Sequence, residues 1–130
     1  MIHLFVHLDA KSDLEQLWEE SPTAAARIGV LLEELGGNQD LLDRLTQHDY
    51  GNYQTAKFHV SKWVEQWNKG KNLWRLKVWD LEDKGLQYRI VYAFLPIKSQ
   101  YHVLGIVPRK FDYDSRHELT RRIIAAYENL

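Results

Sequence analysis

Along the chain the apolar positions switch between a period of two and a period near 3.6, and each switch predicts a change of element. Ile2, Leu4, Val6 and Leu8 alternate with His3, Phe5 and His7, which predicts a strand over residues 2–8. Ser12-Asp13-Leu14-Glu15 then has the form of a capping box, and Leu14, Leu17 and Trp18 supply one helical face behind it. Ser21-Pro22 predicts an N-cap followed by proline in the first turn of a second helix, which runs through Ile28, Leu31, Leu32 and Leu35 to Gly36-Gly37. Asn38 is placed to cap a further short turn carrying Leu41, Leu42 and Leu45. A polar connection with Tyr50, Gly51, Asn52 and Tyr53 follows.

Residues 58–70 carry both periods. Phe58 and Val60 alternate, whereas Trp63, Val64 and Trp67 are spaced like a helical turn, and helix is favoured from Ser61 onward. Three β-rich runs come next, Leu73 to Trp79, Gln87 to Leu95 and Tyr101 to Val107, separated by Glu82-Asp83-Lys84-Gly85 and Pro96-Ile97-Lys98-Ser99. Loops this short predict an antiparallel meander. Ser115-Arg116-His117-Glu118 has the form of a second capping box, opening a last helix with the stripe Leu119, Ile123, Ala126, Tyr127 and Leu130. The expectation is one α+β domain over residues 1–130: an N-terminal strand, two helices, a three-stranded antiparallel meander and a C-terminal helix.

A length of 130 residues with 45% hydrophobic residues is enough for a core, and the absence of cysteine excludes disulfides, thiolate metal sites and a cysteine nucleophile. Residues 1–8 lack a basic leader and a cleavage pattern, and no apolar run approaches membrane-spanning length, so a soluble cytoplasmic protein is expected. His3 and His7 have a metal-compatible spacing but no third ligand pattern, and they are read as structural, with no metal or cofactor expected.

Charge changes the picture. Residues 57–110 hold eleven Lys and Arg against four acids, a net +7, while residues 1–56 hold three against ten, a net −7. One part of a near-neutral chain is thus suited to a polyanion. Strand periodicity gives that charge a surface: Arg75 and Lys77 point away from Trp74, Leu76 and Val78, and Arg89 points away from Tyr88, Ile90, Tyr92 and Phe94. Arg109 closes the last strand in register with Val107, Gly105 and Val103. If helices cover one sheet face, these four cations converge on the open one. Trp18, Trp63, Trp67, Trp74 and Trp79 read as core or interface residues before base-stacking platforms, with Trp79, which shares a face with Lys77, the one that could stack a base.

The order of elements, together with Leu73-Trp74-Arg75-Leu76-Lys77, Tyr88-Arg89-Ile90-Val91-Tyr92-Ala93-Phe94 and Val107-Pro108-Arg109-Lys110, resembles the RelE/ParE superfamily of bacterial type II toxins. The resemblance implies a RelE-like, ribosome-dependent endoribonuclease that cleaves mRNA without a metal. The alternatives are a ParE-like, non-enzymatic inhibitor of DNA gyrase or a catalytically silent binding relative. By resemblance Lys77 takes the place of the base, Arg109 that of the acid in a positional and electrostatic sense, and Arg75 and Arg89 those that hold phosphate. Tyr113 takes that of a tyrosine orienting substrate, with Lys71 and Lys110 as further RNA contacts. The implied partner is a cognate antitoxin, expected to cover the cations with an acidic segment and to meet Arg116, Arg121 and Arg122 on an exposed face of the last helix. Alanine at Arg89 or Arg109 is expected to leave the fold intact.

Overall fold

A computed structural model of the chain describes residues 1–109 and 116–130. The elements are β1 (His3–Val6), α1 (Leu8–Glu20), α2 (Pro22–Gly36), α3 (Gln39–Arg44), β2 (Phe58–Lys62), α4 (Val64–Trp67), β3 (Leu73–Val78), α5 (Trp79–Asp83), β4 (Tyr88–Leu95), β5 (Gln100–Pro108) and α6 (Glu118–Glu128). The expected meander is present as β3-β4-β5, and it sits inside a larger mixed sheet of order β1-β5-β4-β3-β2. β1 joins the far side of β5 in parallel, His3 opposite Gln100 and Val6 opposite Val103, while β2 adds an antiparallel edge on β3.

Local chemistry decides where the helices begin. Ser21 Oγ accepts from the Ala24 amide at 3.4 Å and Asn38 Oδ1 from that of Leu41 at 3.1 Å, so both expected caps are in place. The first helix starts earlier than the Ser12 capping box predicts, because His7 Nδ1 accepts from the Asp9 amide at 3.0 Å. Asp13 then lies inside the helix, where its carboxylate has a tertiary role. His117 plays the same capping part for α6, accepting from the Leu119 amide at 3.0 Å, and Ser115 lies outside the described residues. The ambiguous segment divides: a strand runs to Lys62, and the helix is a single turn from Val64. β3 stops at Val78, since Trp79 opens the short α5 within a segment that reads as strand end and loop.

Both faces of the sheet are packed. On one, Trp74, Leu76, Val78, Ile90, Tyr92, Tyr101 and Val103 meet Leu17, Ile28, Leu31 and Leu35 of α1 and α2. Each fully buried aliphatic side chain contributes about 1.5–3 kcal/mol, so this layer dominates the stability. The phenol of Tyr92 is fully buried yet satisfied, donating to the Leu45 carbonyl at 2.7 Å, and burial pushes its pKa well up. On the other face Leu73, Val91, Ala93, Leu104 and Val107 meet Ile123 and Ala126 of α6, with Leu119, Tyr127 and Leu130 at the margin, as the stripe predicts. No helix among the described residues is long and apolar enough to cross a membrane.

A bulge in β5 sets which of its residues face each layer. Val91 pairs with Gly105 but Tyr92 with Val103, so Leu104 is extra. Val103 therefore belongs to the α1/α2 layer while Val107 belongs to the α6 layer, and the expected register of Arg109 with Val103 is broken at that point. A Cβ on Gly105 would lie 3.1 Å from Ile123 Cδ1, which is why glycine stands where α6 comes closest. α6 is clamped to α1 and β5: Arg122 donates from Nη1 and Nη2 to the two oxygens of Asp13 at 2.9 and 2.6 Å, and Asp13 also accepts from the Ile106 amide. Burial alone would lower the Arg122 pKa; the hydrogen bonds and charge of Asp13 outweigh it and carry it upward. Arg122 is thus a structural clamp, not part of an exposed arginine face.

Candidate functional site

Register builds the site. His59 of β2 lies opposite Lys77 of β3, and Ser61 opposite Arg75. Leu76 pairs with Ile90, so Lys77 and Arg89 reach the same end of the sheet, where Arg89 pairs with Val107. Arg75, Lys77 and Arg89 therefore share the face that α6 occupies further along, not a wholly open face. Arg109 stands exposed just past β5, its amide donating to the Gln87 carbonyl at 3.0 Å.

Their electrostatics are coupled. The Lys77 pKa is lowered from its ordinary value chiefly by burial, next by the charge of Arg89; Glu82 works in the opposite direction, and Arg109 and Arg75 lower it further. Three of the cations that sequence periodicity assigns to one surface are near enough to act on the amine of the fourth, Lys77. They are not equally available. Arg89 is only 8% exposed and is ion-paired with Glu82 of α5, while its Nη1 also donates to the Tyr88 carbonyl at 3.0 Å. Removing it would strand a largely buried carboxylate, so alanine at Arg89 is not neutral to folding. Arg75 Nε donates to Ser61 Oγ at 2.8 Å. Lys71 lies before the start of β3, the end remote from Lys77, and is not brought into the cluster. Lys110 and Tyr113 lie outside the described residues.

Trp79 is placed beside Lys77 by a helix and not by the strand. Lys77 Nζ lies 4.6 Å from its ring centroid. The indole is fixed by donation from Nε1 to the Gly51 carbonyl at 2.8 Å and from its amide to the Lys57 carbonyl at 3.1 Å. His59 stacks on the same ring system, centroids 5.8 Å apart and planes 9° from parallel.

The sequence reading missed His59 and Asp49. His59 Nε2 is 3.2 Å from Asp49 Oδ1, and His48 Nε2 is 3.5 Å from Asp49 Oδ2. Asp49 is carried there by a pair of backbone bonds to β2: its amide donates to the Val60 carbonyl at 2.8 Å, and the Val60 amide donates to the Tyr50 carbonyl at 2.9 Å. The turn that follows uses left-handed backbone at Asp49, Gly51, Tyr53 and Gln54. At Gly51 a Cβ would fall 1.8 Å from the Phe58 carbonyl oxygen, so only glycine lets the loop return to the sheet. Non-glycine residues in this conformation mark functional or over-determined segments. The available signal was the run His48-Asp49-Tyr50-Gly51-Asn52, which reads as an ordinary polar turn without its partner strand.

A shallow cleft lined by Gly85, Leu86, Gln87, Tyr88, Pro108 and Arg109 adjoins the cationic end. Among the described residues no group of three or more His, Asp and Glu side chains is placed to hold a metal ion. No family model matches this chain, and comparison with curated proteins and with solved structures finds no match.

Proposed function

We propose that the chain is a RelE-like toxin, a ribosome-dependent endoribonuclease that cuts mRNA by metal-free attack of a 2′-hydroxyl on the adjacent phosphate. The observation that supports it is the convergence of Arg75, Lys77, Arg89 and Arg109 at one end of the sheet, with the Lys77 amine pushed toward its neutral, basic form by burial and by the other three charges. A neutral lysine takes the proton from the 2′-oxygen. Arg75 and Arg109 bind the phosphate and stabilise the charge that develops on it. Arg89 joins them when phosphate competes with Glu82, or else holds Glu82 where it is. The reaction takes place in the cytoplasm, where ribosomes are found, and a cognate antitoxin with an acidic segment neutralises the site between uses.

A second reading, a catalytically silent relative that binds RNA or protein through the same face, is favoured by the Arg89–Glu82 pair, which ties up one of the four cations. Induced expression with mapping of mRNA 5′ ends separates the readings. Codon-dependent cuts that require ribosomes support the nuclease. Growth arrest with intact mRNA and DNA damage selects a gyrase inhibitor, and intact mRNA and DNA select the silent relative.

A further inference from the structure

The cationic row has a base but no good proton donor. Arginine holds its proton too tightly to release it in a transition state near neutral pH, and Lys77 is committed to the opposite transfer. Histidine is the side chain that carries and releases a proton in that range. His59 stands directly across from Lys77, at the pair spacing of about 4.5–5.5 Å between Cβ atoms that adjacent strands impose. We propose that His59 is a catalytic acid of this site, oriented by Asp49 and Trp79 to protonate the leaving oxygen of a phosphodiester; the assignment rests on the nuclease reading above.

Three independent restraints hold the ring. Nε2 faces the Asp49 carboxylate at 3.2 Å, the ring plane lies along the Trp79 indole, and the side chain is 15% exposed, so it is neither sealed off nor free to turn. Asp49, half exposed, also faces His48. His48 Nδ1 accepts from the Lys62 amide at 3.0 Å, which leaves its Nε2 to carry the proton directed at Asp49 Oδ2. One carboxylate oxygen thus faces His48 at 3.5 Å and the other faces His59 at 3.2 Å. His59 Nδ1 has no hydrogen-bond partner among the described residues, and it is the nitrogen available to a substrate. Nucleophile-activating triads share this arrangement, a carboxylate on one ring nitrogen and chemistry at the other.

The step balances without an added reagent. The 2′-hydroxyl gives its proton to Lys77 as its oxygen bonds to phosphorus, and the bond from phosphorus to the 5′-oxygen breaks. The imidazolium of His59 gives its Nδ1 proton to that oxygen. The products are a 2′,3′-cyclic phosphate and a 5′-hydroxyl, and solvent returns Lys77 and His59 to their starting forms.

The test uses the full chain with ribosomes carrying mRNA in two versions, one natural and one with a 5′-bridging sulfur at the cleaved linkage, since a thiolate leaves without needing a proton. His59→Ala is expected to slow cleavage of the natural linkage by ~10²–10⁴-fold, the usual worth of general acid catalysis, and to return to within about tenfold of the wild type on the sulfur linkage. His59→Gln, which keeps a side-chain hydrogen bond within reach of Asp49, gives the same pattern and covers the case in which alanine disturbs the strand. Equal losses on both linkages, or no loss on either, would overturn the acid while leaving the nuclease intact. A wild-type protein that cuts neither RNA would overturn the nuclease reading, and the assignment with it.

Discussion

The two ends of one sheet face are built from the same strands and carry different side chains. At one end Leu73, Val91, Ala93, Leu104 and Gly105 are apolar or lack a side chain, and Ile123 and Ala126 of α6 pack directly onto them. At the other end His59, Lys77 and Arg89 are long and ionisable, and they lie beyond that apolar cluster, flanked by Trp79 and Glu82 of α5. The alternation of the strands is the same throughout; only side-chain size and polarity change along them. Stability and the proposed chemistry are thereby separated by a few residues of β3 and β4. Substitutions at one end should move folding and leave the chemistry of the folded fraction alone, and those at the other should do the reverse.

The largest test of that separation is Lys77→Ala. Cleavage of ribosome-bound mRNA should fall ~10²–10⁴-fold, the worth of a general base, while the unfolding free energy from urea titration changes by no more than about 1 kcal/mol, the loss of a half-buried cation–π contact. A comparable loss in ribosome binding would make Lys77 a phosphate anchor instead. Arg89→Ala crosses the boundary. It should cost about 3 kcal/mol in chemical denaturation, because Glu82 is left largely buried and unpaired, and it should lower cleavage as well. The double variant Arg89→Met with Glu82→Leu separates the two losses: stability returns, cleavage does not. At the covered end Ile123→Ala, a deletion from a site with no exposure, should cost about 2–4 kcal/mol by the cavity it opens, with the rate per folded molecule unchanged.

The smallest effect is the most specific. On the sulfur-bridged RNA, whose leaving group needs no proton from His59, only the neutral Lys77 amine has to be in place, so the rate should climb as pH rises toward the lowered Lys77 pKa and level off above it. The groups acting on it are Arg75, Arg89, Arg109 and Glu82. Arg109→Gln removes a charge that favours the neutral amine, so the climb should move to higher pH; Glu82→Gln removes one that favours the ammonium, so it should move to lower pH. Profiles that superimpose with the wild type would take Lys77 out of the proton transfer.

Much of the fold can be read from residues that act locally. Ser21 with Pro22, Asn38, and the alternation of β3 and β4 need only their near neighbours to choose a conformation, and each does what its sequence predicts. The last helix likewise buries its apolar stripe. The sharing of one face by Arg75, Lys77 and Arg89 follows from the same period of two. What tertiary structure alone decided depends on partners far apart in sequence. Ser12 loses the first cap to His7, and the neighbouring Asp13 closes onto Arg122, 109 positions away, which turns an apparent surface arginine into a clamp. One extra residue at Leu104 reverses the facing of everything before it in β5, a choice set by the fit against β4 and α6. Arg89 becomes an ion-paired, buried group only because α5 brings Glu82 over it. His59 and Asp49 meet only because backbone bonds lay the loop against β2. Local propensity sets which way a side chain points along its own element; the loop closures and buried charges that fix its partner have their free energy only in the assembled fold.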